Sequence, residues 1–189
     1  CSDHNKCALP GFIIADALSS VSTHYVSQIS LLPMIPDSSF SLVYSSHALE
    51  HTSYRMPPPS CPSFPRPDPS VPGCDCETLE TLREWRRVLV RGGQVLISVP
   101  DMEAVAALFL LPDATPTMKW GMRAILYGGQ NDQYDVHKTG LYFELLQHYL
   151  ERAGFCGVTR VKHFGIFQDH TDSAVKNWLI SLSVRAVAC

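Results

Sequence analysis

Apolar and polar positions along the chain alternate between two rhythms. Residues 11–17, GFIIADA, form a short apolar run that follows a Pro-Gly turn and stops at Asp16. Residues 23–29, THYVSQI, make a second candidate strand, and 35–40, IPDSSF, carry the Pro, Asp and Ser of a turn. The stretch 40–46, FSLVYSS, is aromatic and β-branched at its centre and predicts a third strand. From 76 to 93 the period becomes helical: Leu79, Leu82, Trp85, Val88 and Leu89 trace one face. Asp75 stands where it can cap that helix. Glu77 and Glu80 sit near the positive end of its dipole, and Arg83, Arg86 and Arg87 near the negative end. Gly92 and Gly93 are expected to stop it.

Residues 94–100, QVLISVP, then read as a buried strand. Asp101 is placed to cap a helix running to about Leu111, with Pro112 marking its end. Residues 113–138 are polar and predict an irregular connection. Leu141, Leu145, Tyr149 and Ala153 lie four apart, Leu146 and Leu150 widen the stripe, and Gly154 closes the helix. Residues 156–164 and 178–188 predict two last strands. The second alternates clearly, as an edge or antiparallel strand does. Helices between apolar strands imply an α/β fold, a largely parallel sheet covered on both faces, with the final pair an antiparallel hairpin at one edge.

Between 57 and 72 lie eight of the chain's 14 prolines. Proline lacks the backbone donor and fixes φ, so residues 54–76 predict a disordered, polyproline-like insertion in a surface loop. The 189 residues otherwise suit one domain, 1–189. Hydrophobic residues make up 46% and charged residues 17%, with a net charge of −3. This is a globular composition without the basic excess of a nucleic-acid binder. The longest apolar run, 104–111, is far short of the ~20 residues of a membrane span. No secretory leader is recognisable, and a cytoplasmic location is expected. Seven widely spaced cysteines predict free thiols in a reducing compartment. Cys61 with CDC at 74–76 lacks the CxxC pair or histidines of a metal knuckle, so those residues read as loop cysteines.

The chemistry gathers in residues 47–51, His-Ala-Leu-Glu-His. As HxxEH on a helix, both imidazoles would share a face and hold zinc while Glu50 activates water. That reading needs a helix, and the motif follows a strand directly. It also needs a third ligand, for which Glu103 and Glu144 are the candidates, neither in a recognisable pattern. No metal ligand is therefore assigned, and a zinc hydrolase stays a remote alternative. A second reading uses strand ends. In open α/β sheets ligands bind beyond the carboxyl ends of strands. Asp16, Gln28, Ser45, Ser46, His47 and Asp101 all fall just past such ends. An acidic residue there can accept two hydrogen bonds from a ribose diol.

Three stretches carry a resemblance: PDSSFSLVYSSHALEH, LREWRRVLVRGGQVLISVPD and FELLQHYLERAGF. Together they resemble the class I S-adenosylmethionine-dependent methyltransferases, most closely the methyltransferase type 11 group. In that group a strand ends in SxHVLEH, a helix runs into RVLKPGG, and the next strand ends in VPD. The resemblance implies a three-layer Rossmann-like sheet, mostly parallel with an antiparallel final strand. It implies a first strand and a glycine-rich motif before residue 1, making the chain N-terminally truncated with Cys1–Asp3 as a remnant. S-adenosylmethionine is the implied cofactor. Asp16 would bind its ribose, Gln28 and Ile29 would flank the adenine, and Ser45, Ser46 and His47 would line the methionine end. Gln28 stands where the group usually has aspartate. Glu50 and His51 would begin the next helix and orient the loop. His47 or His137 would take a proton from a small-molecule acceptor. A degenerate, non-catalytic relative acting through protein contacts is the alternative. Neither the acceptor nor the oligomeric state is legible.

Overall fold

The computed structural model describes residues 11–16, 25–54, 76–167 and 169–189, with Asp16, Tyr25 and Val26 as backbone only. Two short strands, β1 (Ala15–Asp16) and β2 (Tyr25–Val26), pair in parallel as a sheet of their own. Among the described residues the main sheet has four strands: β3 (Phe40–Ser46), β4 (Leu89–Pro100), β5 (Phe155–Val161) and β8 (Ser181–Ala188), in the order β3-β4-β8-β5. β3 and β4 are parallel, with Val43 opposite Val95 and Ser46 opposite Ser98. β8 runs antiparallel to β4 on one side and to β5 on the other.

The α/β architecture and the antiparallel final strand are present, but the pairing is not mostly parallel. Two of the three pairings are antiparallel because β8 is inserted between β4 and β5 rather than added at an edge. Of the two readings of the alternation, edge or antiparallel, β8 is the antiparallel one, and with β5 it makes the expected antiparallel pair at one edge. Leu182, Val184 and Ala186 face the core, and the intervening Ser181 and Ser183 are small enough to be buried as well. Ser183 Oγ donates to Ser98 Oγ at 3.3 Å across the ladder, which gives the buried hydroxyls a partner.

α1 (Glu77–Val88) and α4 (Phe143–Arg152) cover one face of the sheet. Leu79, Leu82 and Trp85 meet Leu146, Tyr149 and Leu150 there, over Val95, Ile97 and Val99 of β4. α1 ends at Val88 and β4 begins at Leu89, so the Gly-Gly pair does not stop the helix. It instead lets β4 bulge: the register jumps between Phe40–Leu89 and Leu42–Gln94, and Gly92 takes φ +80°. The proposed cap Asp75 and all of the proline-rich insertion except Tyr54 and Cys76 lie outside the described residues.

The opposite face carries Tyr44, whose ring meets Phe164 and Phe167, and Ser46, whose hydroxyl lies 3.5 Å from that of Thr171. Among the described residues, Phe164, Phe167 and Thr171 lie against this side. α2 (Met102–Phe109) and α3 (Pro116–Tyr127) form a second small core from Val105, Leu108, Met122 and Ile180. α3 replaces the irregular connection expected at 113–138. β6 (Ala174–Val175) and β7 (Trp178–Leu179) pair through a turn at Lys176 and Asn177, both at positive φ. The strand expected at 178–188 is therefore two strands in two sheets.

Cys156 in β5 and Cys189 after β8 form a disulfide, against the expectation of free thiols. The register places Cys156 opposite Val187, two residues from Cys189, so the ladder brings the two sulfurs together. Cys76 is a buried free thiol.

Candidate functional site

β3 delivers its last residues to the carboxyl edge of the parallel pair. Strand alternation sends Ser45 and Ser46 to opposite faces. Ser46 joins Tyr44 and Thr171. Ser45 is buried on the helix-covered side, and its hydroxyl has no hydrogen-bond partner among the described residues. His47 ends the strand: its φ is +50°, unusual for a residue with a side chain, and its N–H donates to the Ser98 carbonyl at 2.8 Å. The turn so formed is followed by a single 3-10 turn, Leu49–His51. The helix that an HxxEH metal site requires is absent, as is the helix Glu50 and His51 were expected to begin. His47 Nε2 is occupied by Ser181 Oγ at 3.0 Å.

Glu50 is the centre of this region. Its side chain is 1% exposed. His47 Nδ1 lies 3.2 Å from its Oε1, and His137 Nε2 lies 3.9 Å from the same oxygen. The two histidines proposed from sequence as proton acceptors, 90 positions apart, thus face one carboxylate. Neither Glu50 oxygen accepts a hydrogen bond among the described residues. The Glu50 main chain does orient a loop: its carbonyl accepts from the N–H groups of Lys138 (2.8 Å) and Thr139 (3.1 Å). That contact sets the place of His137. The preceding loop is drawn tight by Asp135, whose carboxylate accepts from Gly129 N–H and from both the backbone and the side chain of Asn131. Burial holds the His137 imidazole below its usual pKa, against the pull of Glu50.

His51 lies against His137, ring centroids 4.8 Å apart and nearly perpendicular. Asp101 is a helix cap: its Oδ1 accepts from Glu103 and Ala104 N–H, and its Oδ2 pairs with Arg160. Gln28 is exposed, and its carbonyl closes a turn to Leu31 N–H at 3.1 Å. The Ile29 carbonyl accepts from the Trp85 indole at 3.1 Å, which ties this loop to α1. Among the described residues no hydrogen bond or ion pair joins Gln28 or Ile29 to residues 45–47. Asp16 ends β1, and its side chain lies outside the described residues.

Sequence reasoning missed a second polar cluster. Tyr44 donates to Asp169, whose other oxygen accepts from Thr171 N–H at 2.9 Å. Burial and the Asp169 carboxylate raise the Tyr44 phenol well above its usual pKa. Burial opposes ionisation of Asp169, but hydrogen bonds from Thr171 and Tyr44 outweigh it and hold the carboxyl below its usual range. Its bond to Thr171 is local, but Tyr44 lies 125 positions away, so no local pattern marks the pair. A groove of about 490 Å³ lies over Ser41, Leu42 and residues 90–94, at the other end of the strands from His47 and away from these groups.

No protein-family model and no curated protein matches this sequence. Solved structures do. CalH, a methyltransferase in complex with SAH, aligns over 90% of this chain and 37% of its own, at 15% identity and a TM-score of 0.47. A SAM-dependent methyltransferase of Thermotoga maritima aligns over 89% and 65%, at 13% identity and 0.46. The CurJ carbon methyltransferase aligns over 85% and 33%, at 12% identity and 0.43. The chain therefore spans between a third and two-thirds of these proteins' lengths. Such identities and scores mark a likeness and assign no reaction to this chain. No described helix is long and apolar enough to cross a membrane.

Proposed function

We propose that the protein is an S-adenosylmethionine-dependent methyltransferase acting on a small-molecule acceptor, of the type 11 kind its motifs resemble. One observation carries this reading. The carboxyl edge of the parallel β3–β4 pair brings His47, Glu50 and His137 together, beside a buried Ser45 hydroxyl that has no partner among the described residues. Ligands of open α/β sheets bind at such an edge. The unpartnered hydroxyl fits a polar ligand group. When bound, the cofactor would supply an electrophilic methyl on a sulfonium. Ser45 would meet its methionine end, Asp16 its ribose, and Gln28 with Ile29 its adenine.

Methyl transfer asks mainly for proximity and orientation, with a base for an oxygen or nitrogen acceptor. His47 is oriented through Nε2, 3.0 Å from Ser181 Oγ, with Nδ1 turned toward Glu50, so the place of its ring relative to an acceptor is fixed. Calorimetric titration of the full chain with S-adenosylmethionine and with its demethylated product tests the reading. One site per chain is expected for each, weakened by Ser45→Val. Absence of binding to both would leave a non-catalytic protein acting through contacts.

A further inference from the structure

We infer that Glu50, His51 and His137 form a site for one divalent transition-metal ion, with zinc as its natural probe. One ligand atom from each lies within 4.8 Å of the other two. The hydrogen bonds decide which ring nitrogens are free to ligate. His51 Nδ1 lies 3.1 Å from the Val136 carbonyl, and His137 Nδ1 lies 2.9 Å from the Ile125 carbonyl. A carbonyl only accepts, so each Nδ1 carries its ring's proton and each Nε2 of the neutral ring presents a lone pair. Fixing an imidazole through Nδ1–H to a backbone carbonyl is the outer-sphere arrangement that orients a histidine ligand.

The third ligand is Glu50, buried, with neither oxygen accepting a hydrogen bond among the described residues. His47 does not relieve it. Ser181 Oγ donates its one hydrogen to the His170 carbonyl at 2.9 Å, so it must accept from His47 Nε2–H. In the neutral ring the His47 Nδ1, 3.2 Å from Glu50 Oε1, then also offers a lone pair. Lone pairs of the His47 and His137 rings thus face one carboxylate oxygen with no proton between them. A buried carboxylate so placed is strongly disfavoured unless a cation joins it.

Two imidazoles and one carboxylate suit zinc and other borderline first-row ions, and leave further coordination positions open. At zinc bonds of about 2.0–2.2 Å the ligands stand roughly 3.4 Å apart, so the trio closes by about an ångström on loading, within reach of a turn of the Glu50 carboxylate. This is not the HxxEH arrangement: His47 is no ligand, and the second imidazole comes from the 128–138 loop. Nor does it rest on methyl transfer. It makes His137 a ligand, which leaves His47 as the base.

The test is titration of untagged, chelator-treated full chain with Zn²⁺ alone, and with Co²⁺ to read its absorption spectrum. One equivalent should bind, with a nitrogen-and-oxygen cobalt spectrum free of thiolate charge transfer. His137→Ala and His51→Ala should each weaken zinc by at least about tenfold. Zinc should raise the unfolding temperature of the wild type and not of these variants. Glu50→Gln, which keeps the backbone contacts to Lys138 and Thr139, should do the same, while His163→Ala should leave binding intact. Absence of binding, thiolate bands, or binding indifferent to both histidine variants would overturn the site. A proton shared within the cluster would then be the remaining account of Glu50. Cofactor titration of the same variants keeps the two proposals apart, since zinc binding can survive the loss of cofactor binding and the reverse.

Discussion

At the scale of single residues, the site depends on one glycine as well as on its own side chains. Gly128 has φ +79°, and a Cβ there would overlap the Asp135 carbonyl and press on the His137 amide. Gly128→Ala should cost about 1–3 kcal/mol in urea unfolding and weaken zinc binding, because the loop carrying His137 must move. Unchanged stability and binding would show that the loop turns elsewhere. The Tyr44–Asp169 pair makes a prediction with a definite sign. Asp169 is held below its ordinary value of 3.8, so its contribution is present above that value and is lost as pH falls through the folded-state value. Tyr44 is raised above its ordinary value of 10.0, so its contribution is present below pH 10 and is lost as pH climbs further. Stability measured against pH should therefore lose slope on the acid limb in Asp169→Asn and on the alkaline limb in Tyr44→Phe. Parallel curves for wild type and variants would refute the pairing.

At the scale of elements, caps explain both what the sequence revealed and what it hid. α2 was legible because Asp101 precedes an apolar run, and the carboxylate does cap Glu103 and Ala104. α3 carried equally good punctuation, Thr115 at the cap, Pro116 in the first turn and Gly128 after the last. Its apolar stripe is what failed to show. Trp120 and Tyr127 are exposed, and Met122 alone is fully buried, so the helical period is faint. The antiparallel sense of β8 was legible, but its interior place was not, because small buried serines at 181 and 183 keep the alternation of a half-exposed strand. The Gly-Gly stop was misread because a bulge and a helix end use the same conformation. Of the site, HxxEH drew attention to Glu50 and His51, but the contribution of His137 needs the tertiary return of the 128–138 loop, which no local spacing encodes. Thr115→Ala should cost about 1 kcal/mol by loss of the bond to Met118 N–H. Asp101→Ala should cost a similar amount, and Asp101→Asn much less, since the amide oxygen still accepts from the same N–H groups. The ion pair to half-exposed Arg160 adds little to either figure. Equal stability of the alanine and asparagine variants, read from thermal unfolding, would remove the capping argument.

At the scale of the whole molecule, the main sheet is closed on its far side by two strands that meet late in the chain. β5 must pair with β8, the last strand, after β8 has also found β4, so this edge depends on contacts distant in sequence. The Cys156–Cys189 bond spans 33 positions and ties that edge directly. In the chain-entropy view, closing a loop of this length removes about 3–4 kcal/mol of unfolded-state freedom. That is a large share of the ~5–15 kcal/mol by which domains are stable. The double variant Cys156→Ala/Cys189→Ala should therefore unfold at clearly lower urea than the oxidised protein. A reducing agent should lower the wild type toward the variant and leave the variant unmoved. Amide exchange should speed up first in β5, which has β8 as its one partner in the sheet, while β3 and β4 stay protected. If reduction shifts neither midpoint nor exchange, then β5 is held by the packing of Phe155 and α4 alone, and the covalent tie is dispensable to the fold.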